Sequence, residues 1–415
     1  MIDRLLRGVL GFDRLQWVLP LAVLLLYLPS GLFGVYFFDG DAASRLFLVI
    51  LAVALGSYAV GYRLMSWVPL EPFLQRSARL QLTPELLIIA VFGPYLLFVA
   101  YSAATAPGIP LVEAVRGASP AQIAIAREQF MKARSGGQAL LVYMNALFTV
   151  AIIPYTVCLL YRTQHRLRHI LLGVAVFTLL LSLEKSLVLR VMLPLLALAV
   201  NGQLRLPVKS PAVLLGLMGV AVVGVTFLAI GRNSVDSISL AAALEDNPTL
   251  RTYFLANPDN ALLFAINRAL WIAYVTAYDW LRYFLTEMDS RPVWGASSSL
   301  VAALTGAPRI NLERAVYEFE WGQNETGTGS ANAAYFIDAF ANFGWAGVIL
   351  SSFVVAAIAR LFVASDNPDA KAAFVLYALF LSVSGIFGVL FSSGLILLLG
   401  MTVMLRPPAS GLVAR

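Results

Sequence analysis

Apolar runs near twenty residues long recur along this chain from end to end, separated by short polar segments. A helix of that length spans a hydrocarbon core of about 30 Å. The pattern therefore predicts an all-α polytopic integral membrane protein. Ten spans follow from it, at 16–38, 45–63, 86–105, 138–161, 170–183, 186–200, 211–231, 334–360, 370–387 and 389–405. Seven lie within 1–231 and three within 334–415, and a long hydrophilic connection fills 232–333.

Composition agrees with this division. Of 415 residues, 60% are hydrophobic and 13% charged, where a soluble protein has about a quarter charged. The one cysteine, Cys158, lies inside an apolar run, and the two histidines, His165 and His169, share one basic loop. An intramolecular disulfide, a Cys-based metal site and a His-centred mechanism are thereby set aside. No metal, cofactor or nucleic acid is expected. Arg4, Arg7 and Arg14 precede the first run without a small-residue cleavage site, so the start reads as a retained helix.

The net charge of +6 matters less than its placement. "YRTQHRLRH" (161–169) and "QLRLPVKS" (203–210) are basic and free of acids. The positive-inside rule then puts 64–85, 162–169, 201–210, 361–369 and both termini in the cytoplasm.

The run "LLLSLEKSLVLRVMLPLLAL" (179–198) carries Glu184, Lys185 and Arg190 amid apolar residues. One span over 170–200 would place "QLRLPVKS" outside; two short helices joined at 182–186 keep the charge rule intact. Each half would reach only about 20 Å, so the turn is expected to lie sunk below the outer surface. A break at that depth needs protein or a wet cavity around it. Glu184, Lys185 and Arg190 are then expected to line the floor of an outward cleft, or, more plainly, to cap a helical hairpin.

Residues 232–333 are long for a connection without function. Within them 261–284 is amphipathic and aromatic, with Trp271, Tyr274, Tyr278, Trp280 and Tyr283 interrupted by Arg268, Asp279 and Arg282. It reads as a helix at the interface or over the cleft, with an eleventh span as the alternative. Its aromatic rings suit sugar stacking or an interfacial belt. An earlier outer segment, 107–137, holds a short amphipathic helix over 119–134.

The approach to span eight reads "WGQNETGTGSANAAYFIDAFANFGWAGVIL" (321–350). Asp338, Asn342 and Trp345 fall at spacings of four and three, which would put them on one helical face. An acid one or two turns into a span needs a partner or water, unless it still lies among head groups.

Deep cations facing outward suit a lipid-linked pyrophosphate. Guanidinium groups bind phosphate oxygens bidentately and remain charged when desolvated. They can also stabilise charge on a departing pyrophosphate. Lys185, Arg190, Arg232, Arg268 and Arg282 are the candidates, with Asn332, Trp271 and Tyr278 for the sugar. A carboxylate would take the proton of an attacking hydroxyl; Glu184, Glu318, Glu320, Glu325 and Asp338 are placed for it.

The run "GTGSANAAYFIDAFANFGWAGVIL", the charged break between two short helices and the large late loop together resemble the O-antigen polymerase (Wzy-type) family. This family of repeat-unit polymerases is related to the O-antigen ligases. The resemblance implies a bacterial inner-membrane, metal-independent inverting glycosyltransferase that moves a glycan from undecaprenyl pyrophosphate onto another lipid-linked unit on the periplasmic side. It also implies a flippase and a chain-length regulator as partners. Arg190 matches the family's arginine in the short-helix break, and Asn342, Gly344 and Gly347 match its "NFG..G" helix start. The related ligases use a histidine in the large outer loop, and this chain has none there.

Two alternatives stand beside this reading. Asp39 and Asp41 in "FFDGDAASR" match the first-loop acids of polyprenyl-phosphate-sugar transferases, as metal ligands or base, or form a polar turn. A lipid-linked glycan transporter would carry inverted repeats; none is evident between the two halves.

Overall fold

In a computed structural model, the described residues are 2–77, 80–81, 83–131, 139–183, 187–204, part of 211–219, 267–321 and 329–406. They are helical apart from connections and a two-residue parallel pairing of Leu80–Gln81 with Leu405–Arg406. In chain order the helices are α1 (Ile2–Leu10), α2 (Val18–Phe37), α3 (Ala42–Met65), α4 (Leu70–Ser77), α5 (Pro84–Thr105), α6 (Pro110–Val115), α7 (Pro120–Met131) and α8 (Tyr143–Arg162). Then come α9 (Arg168–Leu180), α10 (Leu187–Val200), α11 (Ile272–Thr286), α12 (Ser299–Thr305), α13 (Leu312–Trp321), α14 (Tyr335–Ala364), α15 (Pro368–Val383) and α16 (Leu395–Met404).

Among the described residues, five helices are long and apolar enough to cross a membrane: Phe12–Phe37, Ala42–Met65, Pro84–Thr105, Tyr143–Arg162 and Tyr335–Ala364. They fall on five of the predicted runs, and the molecule is an all-helical, membrane-embedded protein. α14 packs along α3, and α10, α15 and α8 form the other half of the core. The predicted span 211–231 lies largely outside the described residues.

The 170–200 region is two helices. α9 has 13 residues and α10 has 14, each about 20 Å long. The chain turns at 181–183, where Leu183 adopts φ 49°. α6 covers that turn, the Leu111 N–H donating to the Leu181 carbonyl. Tyr95 on α5 meets Thr178 on α9 at 2.9 Å, tying the hairpin to a full-length span.

Span ten departs from expectation. α15 ends at Val383, a π-helical turn follows over Gly388–Ser392, and α16 holds only 10 residues. The reason is local: "SVSGIFGVLFSSG" (382–394) is rich in breakers, yet its average apolarity conceals them. A second short-helix hairpin is the result.

The polar ends sort onto two faces. Asn201 joins α10 to α1, accepting from the Phe12 N–H and donating to the Leu10 carbonyl. Lys371 lies over the Phe12 ring. Arg360 donates to Glu71 at 2.6 Å; the Glu71 backbone N–H and that guanidinium hold the carboxyl below its usual range. Leu74 and Gln75 of α4 line one pocket with 365–367, so the ends of α1, α10 and α14 and the start of α15 share one face.

The strongest link on this face is Arg162 to Asp369. Two guanidinium nitrogens reach the carboxylate at 2.7–3.1 Å, with side-chain exposures of 3% and 0%. Asn367 caps α15 beside it and donates to the Tyr155 hydroxyl. Removing one member of such a pair strands a buried charge. Asp369→Ala should therefore cost about 3–5 kcal/mol, measured as a fall in the thermal unfolding midpoint in detergent. The apolar pair Arg162→Met with Asp369→Leu should recover most of that loss.

Candidate functional site

On the opposite face a cavity of about 760 Å³ is walled by three segments of sequence. The first is 297–313, which brings Ser297, Ser298, Ser299, Arg309, Asn311 and Glu313. The second is the start of α14, which brings Asp338. The third is the break between α15 and α16, which brings Ser384, Gly385, Ser392 and Ser393. Trp280 of α11 and Tyr143 of α8 complete the wall.

Each wall has a local cause. α14 opens after "GSANAA", whose Ala331 is pinned on both sides: its N–H donates to Glu313, and its carbonyl accepts from Trp280 Nε1 at 2.9 Å. Nine residues after Tyr335, Gly344 takes φ 62° and ψ −148°, splitting α14 into two helical pieces. Only glycine adopts that conformation readily. The split frees the carbonyls of Ala341 and Asn342, which accept from the N–H groups of Val293 and Trp294. The loop bearing 297–299 is docked by those bonds. At Gly347 a Cβ would lie 2.2 Å from the Ala339 carbonyl, so the helix also needs glycine there. The "NFG..G" pattern thus has a backbone reason in this chain.

Asp338 is buried, at 7% exposure, and is held by neutral donors. Asn342 Nδ2 reaches Oδ1 at 2.9 Å, and the Ile386 N–H also donates to the carboxylate. Glu313, exposed at the rim, is near enough for its charge to act on Asp338. Trp345 lies beyond the Gly344 split and is exposed, so it does not share the buried face of Asp338 and Asn342.

Arg190 is half-buried on α10 and does not line the cavity. Its Nη1 donates to Thr149 at 3.0 Å, in the π-helical part of α8, and its charge acts on Tyr377. The Tyr377 hydroxyl in turn donates to the Ser393 carbonyl, which belongs to the cavity wall.

The other candidates lie elsewhere. Glu184, Lys185, Arg232 and Glu325 are outside the described residues, as is the side chain of Arg268. Asn332 is exposed beside Ala331. Glu318 is exposed on α13, Glu320 is buried, and neither lines the cavity.

Trp271 and Tyr278, expected as sugar platforms, are a correction. Tyr278 stacks on Phe38 at 4.0 Å and 8°, with the Arg282 guanidinium 5.8 Å from its ring centroid. Trp271 is enclosed by Phe33, Phe37, Phe38 and Tyr274. Their faces are already covered by protein. Arg282 is likewise committed, to Asp279 at 3.2 Å and to the Phe319 ring. α11 as a whole is buried without a break from Tyr274 to Leu281. It is a protein-enclosed helix rather than one lying on lipid.

Asp41 follows the polar-turn alternative. Its Oδ1 caps α3 through the Ser44 N–H, and its Oδ2 accepts from the Tyr278 hydroxyl at 2.6 Å. Both oxygens serve the fold. Among the described residues no three His, Cys, Asp or Glu side chains converge as metal ligands.

No protein family, characterised protein or solved structure matches this chain. The site is therefore read from its own chemistry. Glu313, Arg309 and the serines at 384, 392 and 393 were missed from sequence. The breaker cluster 382–394 was the available signal, since helix breaks at membrane depth border cavities.

Gly385 tests the wall. A Cβ there would lie 2.6 Å from Asp338 Oδ2, whereas one at Gly388 meets nothing within 4 Å. Gly385→Ala should destabilise by about 1–3 kcal/mol, as overpacking does. Gly388→Ala, on the same wall, should leave the unfolding midpoint unchanged; equal midpoints would contradict the geometry.

Proposed function

We propose that this protein is an inverting membrane glycosyltransferase that polymerises undecaprenyl-pyrophosphate-linked oligosaccharide repeat units. The observation that carries the reading is a cavity with a buried carboxylate, Asp338, in its wall and Arg309 and Glu313 at its rim, on the face opposite the basic loops. The proposed topology has ten spans in a bacterial inner membrane, both termini cytoplasmic and the cavity periplasmic.

The chemistry follows from the two ends of the site. An acceptor sugar hydroxyl attacks C1 of the donor sugar while Asp338 removes its proton. The C1–O bond to phosphate breaks on the opposite side, and the lipid pyrophosphate leaves with the bonding electrons. Arg190, with Lys185 and Arg232, would balance the charge that develops on it. Arg309 and Glu313 at the rim and the serines along the walls supply the hydrogen bonds that a glycan needs. A flippase would deliver the substrate, and a chain-length regulator would set the product's size. A ligase would use the same chemistry with a different acceptor; no feature of the cavity favours it. The polyprenyl-phosphate-sugar reading is weakened by the structural employment of Asp41.

Arg190→Ala and Asp338→Asn should each abolish elongation in cells while protein levels and the single-unit glycolipid persist. Long chains from either variant refute the role assigned to that residue. With purified protein and lipid-linked repeat units, wild type should produce a ladder on a gel.

The topology has its own check. Cys158 is buried, which should shield it from thiol reagents, so single cysteines can report sidedness. Trp294→Cys should react with a membrane-impermeant maleimide from the periplasm, and Asp366→Cys only after the membrane is opened. Labelling of both from one side would overturn the threading.

A further inference from the structure

Resting on that reading, we infer that Asn342 is the positioning residue of the site. It aims the Asp338 carboxylate and ties it to the loop that lines the opposite wall. Asn342 is fully buried and both polar atoms of its carboxamide are used. Nδ2 donates both to the Asp338 carbonyl at 2.8 Å and to Oδ1 of its carboxylate at 2.9 Å. Oδ1 accepts from the Ser297 hydroxyl at 2.8 Å, and the backbone carbonyl accepts from the Trp294 N–H at 2.8 Å. Two acceptors face Nδ2 and a hydroxyl faces Oδ1, so the orientation of the amide is dictated by its surroundings.

The same side chain thus joins the carboxylate to a loop whose residues 297–299 line the cavity. The Ile386 N–H holds the carboxylate from the third wall. Asp338 therefore reaches its working orientation only when the loop is seated, because Ser297 fixes the carboxamide that fixes Asp338. The charged groups facing Asp338 across the cavity, among the described residues, are Glu313 and Arg309. Neither bonds to Asn342, so the carboxamide, and not a rim charge, sets the direction.

The test uses the full-length purified enzyme and lipid-linked repeat units, with turnover, apparent KM and unfolding midpoint measured for three variants. Asn342→Asp keeps size and shape but turns an acceptor toward Asp338. It should lower kcat about 100-fold, the loss that misplacement of a reacting group by about 1 Å brings, with KM near wild type. Ser297→Ala should lower kcat by a smaller factor, and Ser297→Thr, which restores the hydroxyl, should recover it. Should Asn342→Asp fail to fold, the Ser297 pair still decides. Unchanged turnover in Asn342→Asp or Ser297→Ala overturns the inference. So does a loss in Ser297→Ala that falls on KM, or one that tracks the unfolding midpoint and is not rescued by threonine. A wild-type enzyme that makes no ladder overturns the polymerase reading itself, a separate result seen before any variant is compared.

Discussion

A backbone inside hydrocarbon must satisfy its own hydrogen bonds, and two helical hairpins in this molecule stop before they have crossed. α9 and α10 hold 13 and 14 residues, and α16 holds 10. Such helices reach about 15–20 Å at 1.5 Å per residue, well short of a core of about 30 Å. Their turns must therefore be enclosed by protein or wetted from one side. Both solutions are used. The 181–183 turn is covered by α6, and the 384–393 turn becomes the wall of the cavity. The cavity exists because the helices are short.

Keeping short helices in place requires attachment to long ones, and the polar contacts are spent there. Tyr95 to Thr178 and Arg190 to Thr149 hold the first hairpin to full-length spans. Arg162 to Asp369 does the same for the second. Each contact joins side chains far apart in sequence, so the bundle is stapled across its width and not only between neighbours. The aromatic cluster around Phe38, Trp271 and Tyr278 performs a similar service near the outer end of α2. It makes α11 a fixed wall, and Trp280 stands on that wall at the cavity.

The long apolar runs were legible because hydropathy over twenty residues is a strong signal, and the basic loops were legible because charge is counted directly. The 170–200 break was also readable, since Glu184 and Lys185 interrupt the run. The 384–394 break was not, because its breakers are serine and glycine, which hydropathy scores as nearly neutral. Asp338 and Asn342 could be paired from a spacing of four, but Trp345 could not be excluded from their face. Its removal depends on a left-handed glycine that carries no periodic signature. The aromatic residues of 261–284 misled for a related reason. Tyrosine and tryptophan are equally suited to ligands, to interfaces and to a packed core, and only the neighbours decide. Here the neighbours are Phe33, Phe37 and Phe38, contributed by a helix more than two hundred residues earlier.

The placement of charge completes the argument. Inside a bilayer an isolated ionised side chain is costly, and it is retained where something compensates it. At the basic face the compensation is internal, because Arg162 and Asp369 neutralise each other in full burial. At the opposite face Asp338 is held instead by an amide and a backbone N–H. Dipoles orient such a carboxyl without neutralising it, so it stays open to whatever enters the cavity. The two ends of the same bundle thus hold a buried carboxylate differently, by a guanidinium at one and by neutral donors at the other.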